Sequence, residues 1–174
     1  MKETPTIYGK FTRLLHWLSV LFIFSLLIFG FVMVNVASEA LQAKMYPAHV
    51  LFGWVTLVIM ITRIIVRFVE KAPEPPPGLS SGREKIFKAN HLLLYIFVII
   101  MLSSGVGILK LSGLSIFPGA VDPAAIQDII PRTVHGIISK IVMLLVLMHL
   151  GGLLQYQMTK GDTLARMGIN LKKK

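Results

Sequence analysis

The sequence predicts an all-α integral membrane four-helix bundle with both termini cytoplasmic, on three observations. First, 55% of the 174 residues are apolar and 15% are charged, where soluble domains carry about 25% charged residues; mean hydropathy is +0.74. Second, the apolar residues gather into four runs. Each is long enough, at about 20 residues, to cross a bilayer core as a helix that satisfies its own backbone polar groups. Third, Lys and Arg concentrate on one side of the topology these runs define. The chain, 1–174, reads as one domain. Its net charge of +10 would point to nucleic acid in a soluble protein. Here it reports orientation, and no nucleic-acid partner is expected.

The first span covers about 14–34 and follows Lys2, Lys10 and Arg13. Its apolar run is longer than that of a signal peptide and no Ala-x-Ala site follows it, so an uncleaved helix is expected. The second span covers about 48–69. After it, residues 70–84 carry Pro73, Pro75, Pro76, Pro77, Gly78 and Gly82, a composition that ends a helix and favours an extended linker. The third span covers about 91–111. The connection that follows holds Pro118, Gly119, Pro123 and Pro131, with a short surface helix expected over 124–130. The fourth span covers about 134–156. With both termini in the cytoplasm, fourteen of the eighteen basic residues fall at the inner side, counting Arg63 and Arg67 toward the inner end of span two, and three at the outer side, counting Lys110 at the outer end of span three, with Lys140 deeper in span four. This is a strong positive-inside asymmetry.

The chain has no cysteine, which excludes disulfides, zinc fingers, iron–sulfur clusters, thiolate-ligated heme and covalently attached c-type heme. All five histidines fall in the spans, where an ionisable group is costly and marks function by default. His16 lies at the start of span one on the inner side, His49 at the start of span two on the outer side, and His91 at the start of span three on the inner side. His135 and His149 are both in span four, 14 residues apart. In a helix that is about 21 Å, with a return to within about 40° of the same face. Depth therefore matches His135 with His49, and His149 with either His16 or His91. Two imidazoles facing across a bundle supply both axial positions of a heme iron, and noncovalent heme b needs no cysteine. Zinc would need further ligands, and no Asp or Glu lies within a span.

Gly30 and Gly105 each lie 14 residues after a histidine, His16 and His91, on the same helix face but at the outer level. There they leave room for a macrocycle. Gly53, Gly136, Gly151 and Gly152 also adjoin histidines. Arg63 lies 14 residues after His49, at inner depth, and is a candidate contact for a heme propionate or a quinone headgroup. Arg13 is a similar candidate, and Lys140 is a candidate for an outer propionate or for attracting an anionic substrate. Trp17, Trp54 and the methionines read as belt or packing residues.

An ordered set of motifs runs along nearly the whole chain. It comprises Tyr8 with Leu15-His16-Trp17-Leu18, His49 with Gly53, Arg63-x-x-x-Arg67 followed by prolines, His91-Leu-x-x-Tyr95, His135 and His149, and Asp162-Thr163-Leu164-x-Arg166-Met167. In this set the sequence resembles the prokaryotic cytochrome b561 family, diheme b-type cytochromes of the bacterial inner membrane. The resemblance implies that His16 and His149 hold the inner heme and that His49 and His135 hold the outer one. His91 then corresponds to a histidine that is not an axial ligand, and remains a candidate propionate or quinone contact. The chain departs from the resemblance at the end of span four, where relatives often carry further histidines and this chain has Gln155, Tyr156 and Gln157; that departure bears on quinone chemistry and leaves the heme ligands untouched.

The function so implied is transmembrane one-electron transfer by two noncovalent hemes b, between a periplasmic donor and the membrane quinone pool, ubiquinone for example. Superoxide:quinone oxidoreductase activity is one form the resemblance allows. A second reading makes the chain the cytochrome b subunit or partner of a soluble periplasmic protein or dehydrogenase; a homo-oligomer or a soluble partner protein is the matching expectation for its assembly. A third, from another class, is a heme-free membrane transport or binding protein whose histidines relay protons or bind metal.

Overall fold

The computed structural model describes residues 6–115, 117, 119, 121–122, 124–161 and 163–170. Lys2, Pro118, Pro123, Asp162 and the lysines at 172–174 lie outside the described residues. Four long helices dominate: α1 (Lys10–Asn35), α2 (Glu39–Val69), α3 (Ser81–Leu111) and α4 (Ile130–Thr159). All four are long and apolar enough to cross a membrane, with mean hydropathy of 2.0 to 2.6 over their best windows. A single turn of α-helix, α5 (Thr163–Arg166), follows.

The helices extend beyond the apolar runs because their ends are polar and capped. Ser38 Oγ accepts from the Leu41 N–H at the start of α2, and Ser80 Oγ accepts from the Arg83 N–H at the start of α3, each satisfying an otherwise orphaned donor. Pro47 sits inside α2 rather than at its start. The span expected from the apolar run, 48–69, begins just after it, so the helix extends nine residues further toward the N-terminus. The opening turns of α3 carry Glu84 and Lys88, paired at 2.5 Å in the favourable i,i+4 order. Gly82, expected in the linker, is in this helix. The surface helix expected over 124–130 is instead one 3-10 turn, Ala124–Ile126. Ile126 is buried there, and α4 begins at Ile130 with Pro131 in its first turn, where proline costs nothing.

Helix α1 pairs with α2 and α3 pairs with α4, and the two hairpins meet through α2 and α3. Among the described residues α1 and α4 have little backbone contact. The buried centre of the bundle is a layer of Met60, Val98, Met101, Leu102 and Val142. Large apolar side chains such as Leu21, Phe31, Leu144 and Leu147 face outward, as helices in lipid require, where a hydrophobic drive between spans is absent and packing must hold them together. The buried hydroxyls of Ser19 and Thr56 donate to the carbonyls of Leu15 and Phe52 at 2.7 and 2.6 Å. No unmet polar group is left at those positions.

The chain termini and the α2–α3 connection share one end of the bundle, which the C-terminal segment ties together. The Trp17 indole N–H donates to the Met167 carbonyl at 3.1 Å, and the Tyr8 N–H to that of Arg166 at 3.1 Å. Tyr156 donates to the Pro77 carbonyl at 2.7 Å, Arg166 donates to that of Glu74, and Gln157 accepts from the Leu164 N–H at 3.2 Å. Tyr156 and Gln157, at the end of α4, are thus committed to this closure. Helix α1 has no side-chain cap of its own. Thr12 donates to the Glu70 carboxylate at 2.5 Å, which places a negative charge at the positive end of α1.

Candidate functional site

The histidines meet at two levels. Toward the bundle end opposite the termini, His49 of α2 faces His135 of α4, with ring centroids 6.2 Å apart. At the terminal end, His16 of α1 faces His149 of α4 at 6.3 Å. His91 of α3 also approaches His149, at 4.9 Å.

These spacings discriminate among the pairs. A metal–imidazole bond of about 2 Å, plus about 1.1 Å from nitrogen to ring centroid, puts two trans imidazoles on one metal about 6 Å apart. The His16–His149 and His49–His135 spacings fit that arrangement, and His91–His149 is too short for it. His91 Nδ1–H donates to the Phe87 carbonyl at 2.7 Å, which leaves its Nε2 lone pair free, so ring spacing alone sets it apart. No group of three or more His, Cys, Asp or Glu with metal-holding geometry occurs among the described residues.

The surroundings also fit a flat macrocycle held between paired imidazoles. A Cβ placed on Gly30 would lie 3.8 Å from His49 Cε1, and one on Gly105 would lie 3.6 Å from His135 Cε1. Small residues on α1 and α3 thus flank this pair from both sides. His49 Nδ1 is buried without a hydrogen-bond partner, a cost of about 1–3 kcal/mol for a polar atom the protein alone leaves unmet. His135 is better supplied: its Nδ1 lies 3.0 Å from the Met101 carbonyl and 3.0 Å from Ser104 Oγ. The sparse backbone contact between α1 and α4 leaves the space between His16 and His149 to side chains.

Arg63 is brought to the terminal level, with its guanidinium 3.4 Å from His16 Nδ1 and 5.2 Å from the Tyr95 ring centroid. It opens onto a cleft lined by Tyr8, Thr12, Glu70, Lys71 and Tyr95. Trp17 packs edge-on against His16 at 5.3 Å. Arg13 is set against Gly168 of the C-terminal segment, with its Nε buried and without a hydrogen-bond partner. Lys140 is exposed on α4 and is not drawn to either pair. The sequence reading missed Ser104. Its only signal was a Ser103-Ser104 pair in an otherwise apolar run, directly before Gly105.

The chain is similar to a known family and to a known protein. The family model described as prokaryotic cytochrome b561 matches residues 7–168. The chain is also 27% identical over 174 residues to cytochrome b561 homolog 2 of Escherichia coli (strain K12), an alignment covering 95% of this chain and 93% of that relative.

Proposed function

Because the chain belongs to the prokaryotic cytochrome b561 family, we propose that it is a diheme b-type cytochrome carrying single electrons across the bacterial inner membrane. In this reading His16 and His149 hold one noncovalent heme b, and His49 and His135 hold the other. Each heme, when bound, supplies a one-electron iron couple. The observation that carries the proposal is the matched spacing of the two imidazole pairs, 6.3 and 6.2 Å. The pairs share α4, where 14 residues put them about 21 Å apart.

The chain's own residues do three things in this account. The paired imidazoles would hold each heme from both faces, which would leave no site for dioxygen and favour outer-sphere transfer over oxygenation. Val142, fully buried and midway between His135 and His149, lies with Met60, Val98 and Leu102 in an apolar layer between the two levels. That layer keeps water and ions out of the path while electrons pass. Arg63 and Tyr95 border the cleft beside His16, the place assigned to the electron acceptor.

The positive-inside asymmetry supports cytoplasmic termini, and with them a cytoplasmic His16–His149 level. Electrons then enter from a periplasmic donor and leave to membrane quinone, ubiquinone for example. Superoxide is the small anionic donor that Lys44, Lys110 and Arg132 would attract. Two superoxide ions each lose one electron to become dioxygen, and quinone takes two electrons and two protons to become quinol. The test is the absorption spectrum and heme content of the purified protein, followed by anaerobic reduction with superoxide and reoxidation by added ubiquinone. Reducible b-type Soret and alpha bands at two hemes per chain are expected. A chain that takes up no heme when heme is supplied contradicts the proposal.

A further inference from the structure

Several serines in the helices spend their hydroxyl on a carbonyl of their own helix, as Ser19, Ser25 and Ser139 do. Ser104 does the same, donating to Met101 O at 2.7 Å. It differs in having an imidazole nitrogen on its acceptor side, His135 Nδ1 at 3.0 Å. The hydroxyl is already satisfied as a donor by Met101, so its contact with His135 is not needed for its own burial.

The donor and acceptor roles at this corner are forced. The Met101 carbonyl only accepts, and it lies 3.0 Å from His135 Nδ1, so Nδ1 carries the proton. The Ser104 proton points to Met101, so its oxygen lone pairs face the Nδ1–H. With the proton held on Nδ1, Nε2 keeps its lone pair. Gly105 lies directly beneath this ring. Nδ1 and Cε1 of His135 lie 3.7 and 3.6 Å from where a Cβ would stand, ordinary contact distance. Across the site His49 has no partner at its buried Nδ1. One imidazole of the pair is oriented and polarised by two acceptors, and the other by none.

We propose that Ser104 is a positioning residue for His135: together with the Met101 carbonyl it fixes the Nδ1–H tautomer and raises the donor strength of Nε2, setting the potential of the heme that His135 ligates. The proposal rests on the assignment of His135 as a heme ligand. An acceptor on Nδ1–H gives the ring partial imidazolate character, which strengthens its bond to the metal and favours the oxidised iron. Removing that acceptor raises the midpoint potential of that heme. The Met101 carbonyl remains, so heme is retained.

The test is potentiometric titration of the purified holoprotein for the parent, Ser104→Ala and Ser104→Thr, followed optically and by electron paramagnetic resonance. In Ser104→Ala one of the two midpoint potentials rises while the other stays in place. The shift corresponds to up to about tenfold in the oxidised-to-reduced ratio, 59 mV for one electron. Heme content is unchanged, and the low-spin signal of one heme shifts. Ser104→Thr keeps a hydroxyl that reaches the same carbonyl, and its potentials match the parent's. Two unmoved potentials, an equal shift of both hemes, or the same shift in the Ala and Thr variants overturns the role of Ser104 while leaving the heme assignment intact. A parent chain that binds no heme overturns both.

Discussion

The guanidinium of Arg63 lies 3.4 Å from Nδ1 of His16. Arginine only donates, so in this arrangement Nδ1 is the acceptor and a neutral ring carries its proton on Nε2. An axial ligand binding through Nε2 needs the opposite tautomer. Were His16 to hold heme through Nε2 as proposed, its Nδ1 would carry the proton and no longer accept from Arg63, which would be free to turn toward the cleft it shares with Tyr95. Binding at His135 demands no such change, because its Nδ1 already faces the Met101 carbonyl.

Arg63→Gln removes a positive charge beside the heme at the terminal level. A unit charge about 8 Å away in an effective dielectric of about 20 is worth about 2 kcal/mol, and it favours the reduced iron, which carries one positive charge fewer. Potentiometric titration should show one midpoint potential falling by tens of millivolts while the other is unmoved, opposite in sign to the effect expected at Ser104.

The C-terminal closure depends on Gly168. Its φ is +89°, and a Cβ there would stand 2.7 Å from Arg13 Nη1. Gly168→Ala costs about 1–2 kcal/mol for the left-handed backbone, and the methyl group also displaces Arg13. The segment that accepts from Trp17 and Tyr8 then opens more often. Faster limited proteolysis after 160, with heme content retained, is the expected result.

Because the native chain has no cysteine, single-cysteine variants report topology without background. Lys85 and Lys44 are exposed at opposite ends of the bundle. In intact cells with a permeabilised outer membrane, a membrane-impermeant maleimide should label Lys44→Cys and spare Lys85→Cys. The reverse pattern contradicts cytoplasmic termini.

Much of the architecture was legible because each feature left a one-dimensional trace. Four apolar runs become four helices, and the 14-residue step from His135 to His149 reports a shared face without tertiary information. Gly30 and Gly105 were placed at the level of the His49–His135 pair by the same step, and they flank those two rings. The choice between His16 and His91 was not legible from depth, since both start a span at the same end. It took the resemblance to choose His16, and only ring spacing separates the two physically. Ser104 was not legible at all. Its role depends on a carbonyl of α3 and a ring of α4 that no sequence spacing connects. The early start of α2 escaped because residues 39–47 are more polar than the span itself, and the helix is opened by the Ser38 cap outside the apolar run.

Heme content of the five single histidine-to-alanine variants, measured against the parent on the same purified membranes, tests the central claim most directly. The account predicts two hemes in the parent. His16→Ala, His149→Ala, His49→Ala and His135→Ala each retain one, with the first two sparing the same heme and the last two sparing the other; His91→Ala retains both. Loss of a heme from His91→Ala, with both kept in His16→Ala, would contradict it.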